Sequence, residues 1–142
     1  MLPVFAYGTL KPDEPAYLHY CEPYLLQAQP ACMRGELFHL PQGYPAMTSG
    51  DRWITGTLLV LADAQAIARI DEFEDYDPAR VASVNLYQRL ERPVFSMSRQ
   101  PLGTAWVYLM APPQVAALDG VRVTSGTWSH RHFSNQRPAI GG

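Results

Sequence analysis

The sequence is short of the features that would send it to a membrane, a nucleic acid or a metal. No apolar run approaches the ~18 residues needed to span a bilayer, and the opening MLPVFAYGTL carries no basic leader segment. A cytoplasmic protein with no membrane partner is therefore expected. Eleven Lys and Arg against thirteen Asp and Glu give a formal net charge of −2, with no basic run and one acidic cluster around 71–77. That balance argues against nucleic acid as a partner. Cysteine is scarce: Cys21 and Cys32 read as two free thiols in a chain large enough to fold without a staple. His130 and His132 form an H-x-H pair in WSHRHFSN but have no acidic or cysteine companion at ligand spacing, so no metal site is expected. There is no G-x-S-x-G elbow, and YGTLKP lacks the second glycine and the Gly-Lys-Ser/Thr ending of a P-loop.

What the chain does have is enough apolar content for a core: 47% of its 142 residues are hydrophobic, one domain's worth. Thirteen prolines punctuate it throughout, which implies short elements joined by rigid turns. Strand-like stretches fall at 2–7, 31–40, 52–61, 86–96 and 104–110, with turn signals such as PQGYP and RQPLG between them. The stretch 62–75 reads as a helix with Asp63 as N-cap. At 100° per residue Ala66, Ile67, Ile70 and Phe73 gather on one face, and Gln65, Arg69 and Glu72 on the other.

Glu74 stands four residues after Ile70 and seven after Ile67, so it projects on the apolar side of this helix, whereas Glu72 and Asp75 lie nearly opposite. A buried carboxylate is hard to ionise, and the reasons to keep one are an ionic partner or acid/base chemistry. A charge at the helix rim, or in a loop if the helix stops one residue early, is the alternative. In NLYQRLERPVFS the period of two sets Tyr87, Arg89 and Glu91 opposite Leu86 and Leu90; that polar face fits either solvent or a cleft in which Arg89 holds a carboxylate. Trp106 and Tyr108 share a face in GTAWVYLM, as core or rim packing does. In PVFAYGTL a strand runs into Gly8, which suits a tight turn and equally a concavity of backbone N–H groups for an anion.

Taken together, VFAYGTLKP, MRGELFHLPQGYPAM, GTLLVL with a helix ending IDEFED, LYQRLERPVFS, AWVYL and SGTW resemble, in the same order, the γ-glutamylcyclotransferase-like proteins. That group includes γ-glutamylamine cyclotransferases, plant avirulence-induced-gene-like (AIG2-like) proteins and a butirosin-pathway cyclotransferase. The resemblance covers roughly residues 2–128. It implies an α+β domain at 1–128, a small mixed β-barrel with a few flanking helices, followed by a C-terminal tail at 129–142. It further implies that Tyr7, Gly8, Thr9 and Leu10 bind the α-amino-acid end of a γ-glutamyl group, that Glu74 is the general acid/base, and that Tyr87, with Arg89, belongs to the pocket.

The implied activity is cyclisation of a γ-glutamyl amide or amine to 5-oxoproline with release of the amine. The substrate is then a small molecule, and neither metal nor organic cofactor is required. A domain of the same fold that only binds a small ligand, or that serves as a protein-interaction module, is the alternative function.

Overall fold

The computed structural model describes residues 2–8, 11, 21–74, 76, 79 and 86–128. Thr9 and Leu10 of the expected cradle, Asp75 and the tail with His130 and His132 lie outside them. Six strands are found among the described residues: β1 (Leu2–Ala6), β2 (Leu25–His39), β3 (Pro45–Leu61), β4 (Gln88–Phe95), β5 (Pro101–Leu109) and β6 (Val121–Arg122). Two helices accompany them, α1 (Ala64–Phe73) and α2 (Pro112–Ala117), with a 3-10 turn at Glu22–Tyr24.

The strands are ordered β3-β1-β5-β4-β2, and β2 pairs back onto β3, so the sheet closes on itself. All pairings are antiparallel except β1 with β5. Two seams are slight, one registered pair each, Val4↔Trp106 and Cys32↔Phe95. The α+β class expected from the sequence is therefore present, as a ring-like sheet rather than a regular barrel.

The long β2–β3 hairpin holds the ring together, and both strands begin well before the expected 31 and 52. Their early halves are mixed in character: LLQAQP carries no clean alternation, and Gly50 interrupts PAMTSGD. The register steps from Gly35↔Arg52 to Glu36↔Thr48, leaving residues 49–51 as a bulge that bends β3. The fifth expected strand, 104–110, runs instead from Pro101 to Leu109. α2 is not among the elements expected from the sequence; its prolines occupy the first helical turn, where a missing N–H costs nothing.

Alternation along the strands divides the core in two. Val4 and Ala6 join Ile67, Ile70, Tyr87 and Tyr108 in a layer beneath α1. Phe5 and Tyr7 join Met33, Met47, Val107 and Trp128 in a cluster that draws on all five strands of the ring and fills it. Gly56 allows β1 to lie this close: a Cβ there would stand 2.3 Å from the Ala6 carbonyl oxygen. The end of β1, and with it Tyr7 and Gly8, is therefore fixed by contact with β3.

Candidate active site

α1 forms as its pattern dictates. Asp63 caps it, Oδ1 accepting from the N–H groups of Gln65 at 3.0 Å and Ala66 at 3.3 Å. Ala66, Ile67 and Ile70 are buried, at about 2 kcal/mol for each isoleucine, while Gln65 and Glu72 are exposed. The helix stops at Phe73, two residues short of the expected end, and Glu74 is its C-cap. The Glu74 N–H still donates to Ile70 O at 2.9 Å, so its side chain keeps the helical phase. Glu74 is 0% exposed. The loop-end placement and the inward carboxylate, posed as alternatives, are both realised.

The charge of Glu74 reaches four buried groups from four different parts of the chain. Burial pushes the Tyr7 phenol well above its ordinary range, and Glu74 adds to that shift. Burial raises the Cys21 thiol to about 12, again with a contribution from Glu74. Tyr87 is raised well above its ordinary value by burial and then by the charges of Tyr7, Glu74 and Tyr44. Tyr108 is raised by burial first, then by Asp71 as charge and hydrogen-bond partner, then by Glu74, with Arg89 opposing. A carboxylate that acts on Tyr7, Cys21, Tyr87 and Tyr108 together sits where the end of β1, the segment before the 3-10 turn, the start of β4 and the end of β5 converge.

The phenols are anchored rather than loose. Tyr7 Oη donates to Tyr108 O at 2.5 Å, and Tyr87 Oη donates to Pro45 O at 2.6 Å. Neither hydroxyl is positioned as an acid at neutral pH; both shape the wall around Glu74. Gly8 is buried, and its carbonyl accepts the Lys11 N–H at 3.0 Å, an i to i+3 bond of the kind that marks a turn, directly after β1. Of the sequence-predicted residues, Tyr7, Glu74 and Tyr87 are thus buried together at one end of α1, and buried Gly8 follows Tyr7; Thr9 and Leu10 lie outside the described residues.

Arg89 holds a carboxylate, and it is Asp71. Nη1 of Arg89 donates to Asp71 Oδ2 at 2.7 Å while Tyr108 Oη donates to Asp71 Oδ1 at 2.6 Å. The guanidinium carbon lies 5.1 Å from the Trp106 ring centroid and 5.5 Å from that of Tyr76. The solvent reading of the Tyr87–Arg89–Glu91 face therefore fails at its first two positions, buried and half-buried, and holds for exposed Glu91. Trp106 and Tyr108 are likewise part of the site's support rather than packing alone.

Two residues escaped sequence reasoning. Asp71 is 8% exposed one position after Ile70, on the edge of the apolar stripe, a signal the wheel contained. Lys11 is 7% exposed, and its ammonium donates to the Trp128 carbonyl across 117 residues, a pairing no local pattern announces. It ties the turn after β1 to the SGTW segment, whose indole Nε1 donates to His39 Nδ1 at 3.1 Å. Cys21 and Cys32 are both free thiols, as expected, and both are buried. Among the described residues no three His, Cys, Asp or Glu side chains converge as metal ligands, and no helix is long and apolar enough to cross a membrane.

Residues 4–130 match the family model described as "Gamma-glutamyl cyclotransferase, AIG2-like". Solved structures agree in fold. YkqA from Bacillus subtilis superposes with a TM-score of 0.64 at 22% identity, over 89% of this chain and 39% of that one. The chain thus spans well under half the length of that relative. An AIG2-like protein (GGACT) from Mus musculus gives 0.62 at 22% identity, over 81% of this chain and 82% of that one. YtfP from Escherichia coli gives 0.57 at 22% identity, over 89% and 96%. None of the curated proteins compared with the chain matches it. The family match over nearly the whole chain, joined to the closed sheet and the buried glutamate at the end of its helix, identifies this protein as a member of the gamma-glutamyl cyclotransferase, AIG2-like family.

Proposed function

We propose that the chain cyclises a γ-glutamyl amide or amine to 5-oxoproline, releasing the amine, with Glu74 as general acid and base. One observation carries the reading: a fully buried carboxylate at a helix end whose charge acts on Tyr7, Cys21, Tyr87 and Tyr108, while the nearby guanidinium of Arg89 is committed to Asp71. Membership of the family supports the reaction class. The turn at Gly8, with Tyr7, Thr9 and Leu10, holds the α-amino-acid end of the substrate, and Tyr87 closes the pocket.

The chemistry asks little beyond position and one proton shuttle. Glu74 accepts a proton from the substrate's α-ammonium group; the freed amine attacks the γ-carbonyl carbon and forms the ring C–N bond. The tetrahedral oxyanion collapses and the bond to the departing amine breaks; the protonated carboxyl of Glu74 gives its proton to that nitrogen, and the ring nitrogen passes its second proton through the regenerated carboxylate to the freed amine, which leaves as the ammonium. Nucleophile and electrophile are tethered in one molecule, so fixing the near-attack conformer supplies much of the acceleration. Backbone donors at the turn after β1 are suited to the oxyanion.

The test is a panel of γ-glutamyl amides and dipeptides incubated with the protein and read by mass spectrometry. Release of 5-oxoproline with the free amine is expected; release of glutamate instead would mean hydrolysis. Glu74→Gln keeps side-chain volume but cannot carry a proton, so turnover falls on the order of 10²-fold or more while ligand binding persists. A Glu74→Gln protein as fast as the parent overturns the assignment. A parent that binds γ-glutamyl compounds and converts none of them supports the binding-domain alternative.

A further inference from the structure

The arginines of this chain are unevenly provided with acids. Among the described residues Arg52 and Arg122 share Glu36, and Arg89 takes Asp71. Arg69 donates to the Tyr24 hydroxyl. Among the described residues Arg34, Arg92 and Arg99 form no ion pair with a carboxylate, and Arg34 and Arg92 line one cleft.

This cleft, about 190 Å³ in volume, opens between the 49–51 bulge of β3 and the second half of β4. Its rim is polar, with exposed Arg34 and Ser49 and half-buried Arg92; its floor is apolar and buried, with Met33, Met47 and Leu109. The guanidinium groups are held in place without being neutralised. Arg34 Nη1 donates to the main-chain oxygen of Asp51 at 2.6 Å, and its guanidinium carbon lies 4.4 Å from the Trp53 ring centroid. Arg99 lies 4.5 Å from the same centroid and donates to Met97 O at 3.1 Å. Arg92 donates to Glu91 O at 2.9 Å. The ring of Trp53 meets Phe95, which lines the cleft, edge-on at 5.2 Å. Arg34 takes the carbonyl of Asp51 rather than its carboxylate. Keeping two like charges at the rim of one hollow is unfavourable until an anion arrives, and planar, weakly hydrated guanidinium groups suit carboxylate or phosphate oxygens.

We propose that this cleft binds a small organic anion, a carboxylate or phosphate on an apolar body, with its head between Arg34 and Arg92 and its body against Met33, Met47 and Leu109. The site is separate from the proposed catalytic pocket, since neither Glu74 nor Tyr7, Gly8 or Tyr87 lines it. Charge sets the head group and the buried methionines set the tail, so neither an inorganic ion nor a neutral amide satisfies both ends.

The full chain, labelled at backbone nitrogen and methionine methyls, is titrated by NMR with hexanoate, hexyl phosphate, inorganic phosphate and hexanamide. Saturable shifts at the Gly50 amide and the Met33 and Met47 methyls are expected with hexanoate or hexyl phosphate, and the stronger of the two identifies the head group. Hexanamide and inorganic phosphate should bind at least tenfold more weakly. The doubly substituted Arg34→Gln, Arg92→Gln protein, changed at one exposed and one half-buried side chain that form no ion pair among the described residues, should melt near the parent and lose at least tenfold in affinity. No saturable shift, equal binding of hexanamide, inorganic phosphate equal to hexyl phosphate, or undiminished affinity in the double variant would each overturn the proposal.

Discussion

Removing the Asp71 carboxylate should be the costliest single change near the site that leaves Glu74 untouched. Asp71 is 8% exposed and receives two short bonds, one from a cation at 2.7 Å and one from a phenol at 2.6 Å. In Asp71→Ala the Arg89 charge remains between Trp106 and Tyr76 without its counter-ion, and the Tyr108 hydroxyl loses its acceptor. Breaking one partner of a buried pair costs about 3–5 kcal/mol. The Arg89 side chain retains 19% exposure, which puts the expected loss at the lower end, about 3 kcal/mol. For a chain of this size that lowers Tm by roughly 10 °C. Asp71→Asn keeps an oxygen for Tyr108 but gives up the ionic bond, and should lose about 2 kcal/mol. The assay is urea unfolding of Asp71→Ala, Arg89→Ala and the double variant, closed as a thermodynamic cycle. A loss under about 1 kcal/mol in Asp71→Ala, or a coupling energy below about 0.5 kcal/mol, would refute the claim that this pair anchors α1 to β4 and β5.

Three further outcomes follow from single contacts. Gly56→Ala forces a Cβ against the Ala6 carbonyl and should cost about 1–3 kcal/mol while displacing Tyr7 and Gly8, so ligand affinity falls with Tm; unchanged affinity and stability would show that the approach of β1 is not tight. Cys21, its thiol raised to about 12, should resist iodoacetamide in the native protein at pH 8 and react only on unfolding, which peptide mapping of alkylated protein checks. Burial lowers the pKa of His39 below its ordinary 6.5, and Nδ1 accepts the Trp128 indole N–H only when unprotonated. The unfolded chain therefore binds this proton first, so the contribution of His39 is present above pH ~6.5 and declines as pH falls through the folded-state value. Thermal melts from pH 7.5 to 5 should show a decline in the parent that is smaller in His39→Phe, and equal declines would remove His39 as its source.

Much of the site was legible because its signals are local. Asp63 caps α1 through atoms two and three residues away, and the positions of Ile67 and Ile70 set the phase that turns Glu74 inward, whatever the rest of the chain does. The strand entering Gly8 and the turn signal between β2 and β3 are likewise written in adjacent residues. The starts of β2 and β3 were not, since LLQAQP becomes strand by pairing with Thr57–Leu61 and PAMT by pairing with Glu36–His39, rather than by their own alternation.

The sequence by itself determined the elements that bear Tyr7, Gly8, Glu74 and Tyr87, and through their motifs the family to which they point. Only tertiary structure decided that Arg89 pairs with Asp71, 18 residues away, that Tyr108 joins them from 37, and that Lys11 meets Trp128 across 117. Closure of the ring and convergence of Arg34 and Arg92 on one cleft belong to the same class. Periodicity and capping act within a turn or two of chain and can be read there. The partner of a charge depends on which distant strands the closed sheet makes neighbours, and an alternation pattern that records only inward and outward cannot specify it.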